Sequence, residues 1–217
     1  MNSIMETVCG VCNIVRNNSK QGISFQNLLT KLRKEFRDQG FDLKIKSLRN
    51  NKLNHEEFYV NAYYDPEDDQ NREVPIEVVV HHNFEKETIW DRKHVTDFLI
   101  QIFDATIHEF KHQRQSRKRM FESFWHHNSY LDDPDEIDAY SLSIAIELCR
   151  SLGKYRALRY LHCISTLAKL KFNDHYVSPN LSAYVSQFKD LDDPVLRRLA
   201  KRVYIRLQKV DTDCIFV

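Results

Sequence analysis

The chain has 217 residues, 42% hydrophobic and 29% charged, with 4 Gly and 5 Pro, a makeup that fits one folded, helix-leaning domain and excludes a disordered or collagen-like polymer. Lys and Arg number 32 against 31 Asp and Glu, a net charge of +1, so no global field directs the protein to nucleic acid or to a membrane surface. No stretch reaches the roughly 18 apolar residues of a bilayer span, and the first twenty residues lack a secretory pattern; a soluble, cytoplasmic protein with no membrane partner is expected.

In chain order, Cys9 and Cys12 come first, set among Ile4, Val8, Val11 and Val15 at helical spacing. A structural zinc site needs a second ligand pair at matching spacing, and none follows. The pair therefore reads as buried thiols on an N-terminal helix. With Cys149, Cys163 and Cys214 the cysteines are odd in number and scattered, which excludes a disulfide framework.

A helix is predicted from Phe25 to Gln39, with Ser24 as N-cap, Leu28, Leu29, Leu32 and Phe36 on one face, and Gly40 as the stop. Three strands follow, around Leu43 to Leu48, Phe58 to Tyr64 and Ile76 to His82. The acidic segment DPEDDQNRE reads as a turn between the last two. A small, mostly antiparallel sheet is expected. From Lys93 to Arg117, apolar residues from Val95 to Phe110 recur at three- and four-residue steps, the pattern of a long core helix. Further helices are predicted at Asp135 to Leu152, Lys154 to Lys171, Asn180 to Phe188 and Pro194 to Gln208. The order implies an α+β fold in a single domain spanning 1–217: helix and sheet over about 20–92, the central helices over about 93–152, a helical extension over about 153–210.

The long helix carries His108-Glu109-Phe110-Lys111-His112. Histidines four residues apart stand one turn apart on one helix face and can place two nitrogens on one metal ion, with Glu109 beside them to take a proton from an attacking water. The bland alternative is two histidines on a solvated helix end. Asp104, one turn earlier, could orient a ligand imidazole.

On these residues the chain resembles the zincin metallopeptidases, which carry HExxH on a helix packed against a small sheet. The likeness covers about Phe58 to Leu148 and is specific only at its motifs. It implies Zn2+ as cofactor, a peptide or protein substrate, and Glu109 as catalytic base. It also implies that the last strand before the helix, Ile76 to His82, lines the cleft and pairs with an extended substrate at its edge. Gln115 and Lys118 stand where the metzincin pattern needs Gly and His, which excludes that branch.

Two candidates remain for the third ligand. Glu136, with Ala139 and Tyr140 on the same side of the following helix, looks like the gluzincin arrangement, and small phage-encoded metallopeptidases look similar; a virus-encoded protein would act in the host cytoplasm. His126 or His127 instead resembles the spacing of SprT-like, DNA-associated proteases, and the run KHQRQSRKR would then touch nucleic acid. That run also suits a solvated helix end. Asp138 points to another face and is a weaker candidate. Tyr140, Tyr130 and His127 are candidate oxyanion donors. A non-catalytic zincin-fold interaction protein is the reading from another functional class. In the C-terminal half, His162 and Cys163 are expected to be core neighbours of Leu158, Leu161, Ile164 and Leu167, and Tyr155, Tyr160, Tyr176 and Tyr184 are expected to pack.

Overall fold

A computed structural model describes residues 2–41, 43–85, 87–121, 130–163, 177–188, 192–214 and 216, which fall into two units, Met1–Glu122 with Phe216–Val217 and Ser123–Ile215. In the first unit, helix α1 (Asn2–Asn17) buries Val8, Val11, Cys12 and Val15, and Cys9 beside them, as the spacing predicts. A short strand β1 (Ile23–Ser24) leads into α2 (Phe25–Asp38), where the Ser24 side chain accepts from the Asn27 amide and Gly40 follows at φ +76°. Leu28, Leu29, Leu32 and Phe36 are buried on one face.

Strands β2 (Leu43–Arg49), β3 (Phe58–Tyr64) and β4 (Ile76–His82) form a sheet in the order β2-β4-β3. The β2–β4 ladder is parallel and the β3–β4 ladder antiparallel, so the sheet is mixed. Strand β5 (Ile89–Trp90) pairs separately with β1. The expectation that β4 offers a free edge to substrate is overturned, because every residue from Ile76 to His82 is in register with β2 on one side and β3 on the other. The physical reason lies in its composition: Ile76, Val78, Val80 and His82 turn to the core and Val79 is buried between its neighbours, as befits the central strand of a sheet. The outer strands carry their own covers. The Arg33 guanidinium donates twice to the Ile45 carbonyl (3.0 and 2.8 Å), and Gln101 accepts from the Val60 amide (3.0 Å), capping groups that would otherwise invite another strand.

The acidic turn is also corrected. Asp65 caps and Pro66 opens a short helix α3 (Pro66–Gln70), with Glu67, Asp68 and Asp69 in its first turn, where negative charge meets the positive end of the helix. Helix α4 (Arg92–Lys118) starts at the Asp91 cap, which accepts from the His94 amide at 2.9 Å. It packs on β3, β4 and α1 through Val95, Phe98, Leu99, Ile102, Phe103, Thr106 and Ile107. Phe25, Phe58, Phe84, Trp90 and Phe98 form an aromatic cluster around His82, whose imidazole burial holds below its ordinary pKa.

In the second unit, a 3-10 turn (Tyr130–Asp132) precedes α5 (Pro134–Leu152). Asp133 caps α5 and Pro134 opens it; from Ile137 to Cys149 it is buried nearly all round, which makes it the central helix of the unit. Helices α6 (Lys154–His162), α7 (Pro179–Phe188) and α8 (Pro194–Lys209) pack on it. His162 and Cys163 are exposed, against expectation. The buried stripe of α6 is Ala157 and Leu161, and the next two positions turn away from it. Ile164 and Leu167, like Tyr176 and the predicted continuation to Lys171, lie outside the described residues. Tyr155 is exposed, Tyr160 half-buried and Tyr184 buried. Among the described residues no helix is long and apolar enough to cross a membrane.

Candidate metal centre

Along α4 the fully buried stripe ends at Ile107, and the residues from His108 to His112 are half-buried. This part of the helix stays seated because Phe110 turns to the core side and meets Phe41, ring to ring, at 5.0 Å. His108 and His112 are brought together as the spacing predicts. Their rings lie 4.8 Å apart at 67°, and their Nε2 atoms are 3.1 Å apart. Two nitrogens each about 2.0 Å from a tetrahedral zinc are separated by about 3.3 Å, so the pair already stands near chelating distance. As a protein-only contact, the same distance is a hydrogen bond in which one neutral imidazole donates to the other. Glu109 is half-buried and leaves the helix about 100° round from His108. Asp104, also half-buried, lies one turn earlier.

The far end of α4 is tied down by a group the sequence did not reveal. Asp69, on α3, has a side chain only 4% exposed. It accepts from Arg117 Nε at 2.8 Å and Nη2 at 2.6 Å, from the Tyr64 hydroxyl at 3.0 Å and from Gln113 Nε2 at 3.3 Å. The Arg117 hydrogen bonds, ahead of every other influence, hold the Asp69 carboxyl below its ordinary pKa. Burial pushes the Tyr64 phenol up to about 12. Arg117 thus has a defined partner, whereas Arg114 and Lys118 of the same basic run are exposed. Past Lys118 the helix closes with the Phe121 amide bonded to the Ser116 carbonyl and the Met120 amide to that of Arg117, with Met120 at φ +53°. This is a Schellman closure using Met where Gly is usual.

In the second unit, Glu136 occupies the first turn of α5, half-buried, with Ala139 fully buried and Tyr140 half-buried at the expected i+3 and i+4 positions. Tyr140 meets Tyr130 at 6.3 Å and Tyr184 at 5.6 Å. Tyr130 is 60% exposed as a residue; desolvation of its phenol by the neighbours it does have raises its pKa, and the charge and hydrogen bonds of Tyr140 and Glu136 add to the rise. Tyr184 is the other group that sequence reading undervalued. Its ring is fully buried, and its hydroxyl has no hydrogen-bond partner among the described residues. Burial raises its pKa, with Tyr140, Glu136 and Asp133 adding to the effect. Nothing in its spacing separates Tyr184 from an ordinary packing residue. Asp138 is committed elsewhere, to Arg206 at 2.6 Å and Arg202 at 3.4 Å, consistent with its different face. His126 and His127 lie outside the described residues.

No family model, curated protein or solved structure matches the chain. The functional case therefore rests on the residues themselves.

Proposed function

We propose that the protein is a zinc-dependent metallopeptidase, with His108, His112 and Glu136 as the three protein ligands and Glu109 as general base. The observation that carries this reading is the pair of imidazole nitrogens 3.1 Å apart on one rigid helix, with a carboxylate at the intervening position. Two neutral imidazoles and one carboxylate are a donor set that suits zinc and matches catalytic sites that keep a fourth position open. When bound, zinc would polarise the scissile carbonyl and make a water acidic enough to react near neutral pH. Glu109 takes the proton of the attacking water and returns it to the leaving amine. Tyr140 and Tyr130, neighbours of Glu136, supply hydroxyl donors for the oxyanion; His127 is a further candidate.

Metal analysis of purified wild type, His112→Ala and Glu136→Ala, alongside peptide hydrolysis by Glu109→Gln, tests the scheme. The expectation is zinc in the wild type and loss of zinc in both ligand variants. Glu109→Gln keeps its zinc while hydrolysis falls by about 10²- to 10⁴-fold. Wild type without zinc would point to a non-catalytic scaffold, and undiminished hydrolysis by Glu109→Gln would remove the general base.

A further inference from the structure

We propose that the outward face of the three-stranded sheet binds single-stranded nucleic acid, independently of the metal site. Registers and burial define this face. The alternation that turns Ile45, Val60, Ala62, Val78 and Val80 inward turns a three-by-three grid outward: Lys44, Lys46 and Leu48 on β2, Glu77, Val79 and His81 on β4, Tyr59, Asn61 and Tyr63 on β3. Tyr63 is 54% and Tyr59 36% exposed, and the Lys44 and Lys46 side chains are 57% and 45% exposed. At the centre of the grid Val79 is short and buried, and beside it the Asn61 side-chain amide donates to the Tyr63 hydroxyl at 3.4 Å. Two aromatic residues flank Asn61 on β3.

The arrangement suits a chain of bases with phosphates along one side. Tyr59 and Tyr63 are four residues apart on one strand, about 13 Å, so one base on each leaves room for a nucleotide between them. The Tyr59 ring is already stacked on His81, with centroids 4.6 Å apart and planes at 16°, which presents a firm π-surface. The lysines stand two strands away from the tyrosines, about 10 Å, along the line a sugar-phosphate backbone would take. Glu77 is the single acid of the face, and it holds Lys46 at 2.8 Å and Lys44 at 3.6 Å; a phosphate would take over this pairing. Leu48 is the one exposed aliphatic side chain on the grid, too little for the apolar centre of a protein interface, where lysine is also depleted.

Fluorescence anisotropy of labelled decathymidylate and decauridylate, titrated with the full chain at low salt, tests the proposal. Single strands are expected to bind, more tightly than a duplex of equal length, with affinity falling as salt rises. Tyr59→Ala and Tyr63→Ala should each weaken binding by about 5-fold or more. Lys44→Gln with Lys46→Gln should flatten the salt dependence, and Glu77→Gln should tighten binding. These are surface positions, so unchanged circular dichroism confirms that each variant is folded. Absence of binding up to about 100 μM protein, the weak end of non-specific association, overturns the proposal. So does binding that is indifferent to the tyrosine changes but lost in Arg114→Gln with Lys118→Gln, which would place the contact on α4, or capture of a protein partner by this face with no affinity for oligonucleotide.

Discussion

Asp69 shows how much one side chain can contribute to positioning the site without touching it. Its carboxylate gathers Arg117, Gln113 and Tyr64, fastening α3 and β3 to the stretch of α4 just beyond His112. Asn at this position keeps the shape but loses the charge and part of the accepting capacity. Asp69→Asn should therefore cost about 2 kcal/mol, the scale of hydrogen bonds to a charged group, as read by urea unfolding. The acid dependence has a definite sign. The folded pKa lies below the ordinary carboxylate value, so the stabilisation is complete above that value and is lost as pH falls through the lowered one. Asp69→Asn should lose this part of the acid limb, and an unchanged limb would show that the Arg117 pairing contributes nothing. In sequence, Asp69 is one acid among several in DPEDDQNRE, and nothing there links it to an arginine 48 residues away. The histidine pair was legible because its partners lie within one turn of a single helix. Asp69 was not, because its partners meet only through the fold.

Among the elements, the helices were the easiest to read, since their signals are local. Ser24, Asp91, Asp133 and Asp193 each cap the helix that follows, and apolar spacing sets the buried faces. The three longer strands were found within a residue of their limits and the two-residue β1 and β5 were missed; the strand order was not legible, because period-two alternation says which residues share a face and not which strand lies in the middle. Seven register pairs on each side of β4 close the edge that the zincin likeness would open to substrate. The start of α7 illustrates a long-range cap hidden from sequence. Glu147, buried on α5, accepts from the Ser178 hydroxyl, the Asn180 side chain at 2.5 Å and the Asn180 amide at 3.4 Å, while Ser178 itself accepts from the Leu181 amide at 3.2 Å. Removing this carboxylate strands buried donors at a helix start, so Glu147→Ala should destabilise the protein by about 3 kcal/mol. Glu147→Gln retains one accepting oxygen and should recover part of the loss. Equal unfolding midpoints for Glu147→Ala and wild type would show that Glu147 does not anchor α7.

For the whole molecule, the division into two units was not visible in composition, since no Gly- or Pro-rich linker separates them. The return of Phe216 to the first unit, where it lies against Phe103 at 6.4 Å and under the Arg16 guanidinium at 4.8 Å, follows no sequence pattern either. An ion that binds only the folded chain stabilises it by mass action, about 2.7 kcal/mol at a free concentration a hundredfold above Kd. For a chain of this length that is worth about 5–10 °C in Tm. Chelation of zinc-loaded wild type should produce a fall of this size, reversible on adding zinc. Glu109→Gln should show the same fall, since its carboxylate is not a ligand, whereas His112→Ala and Glu136→Ala should show little. If Glu136→Ala keeps the full response while His112→Ala loses it, the histidine pair stands and the third ligand passes to His126 or His127. If wild type shows no response, neither unit holds an ion through its folded state, and the 3.1 Å contact is a hydrogen bond between two imidazoles.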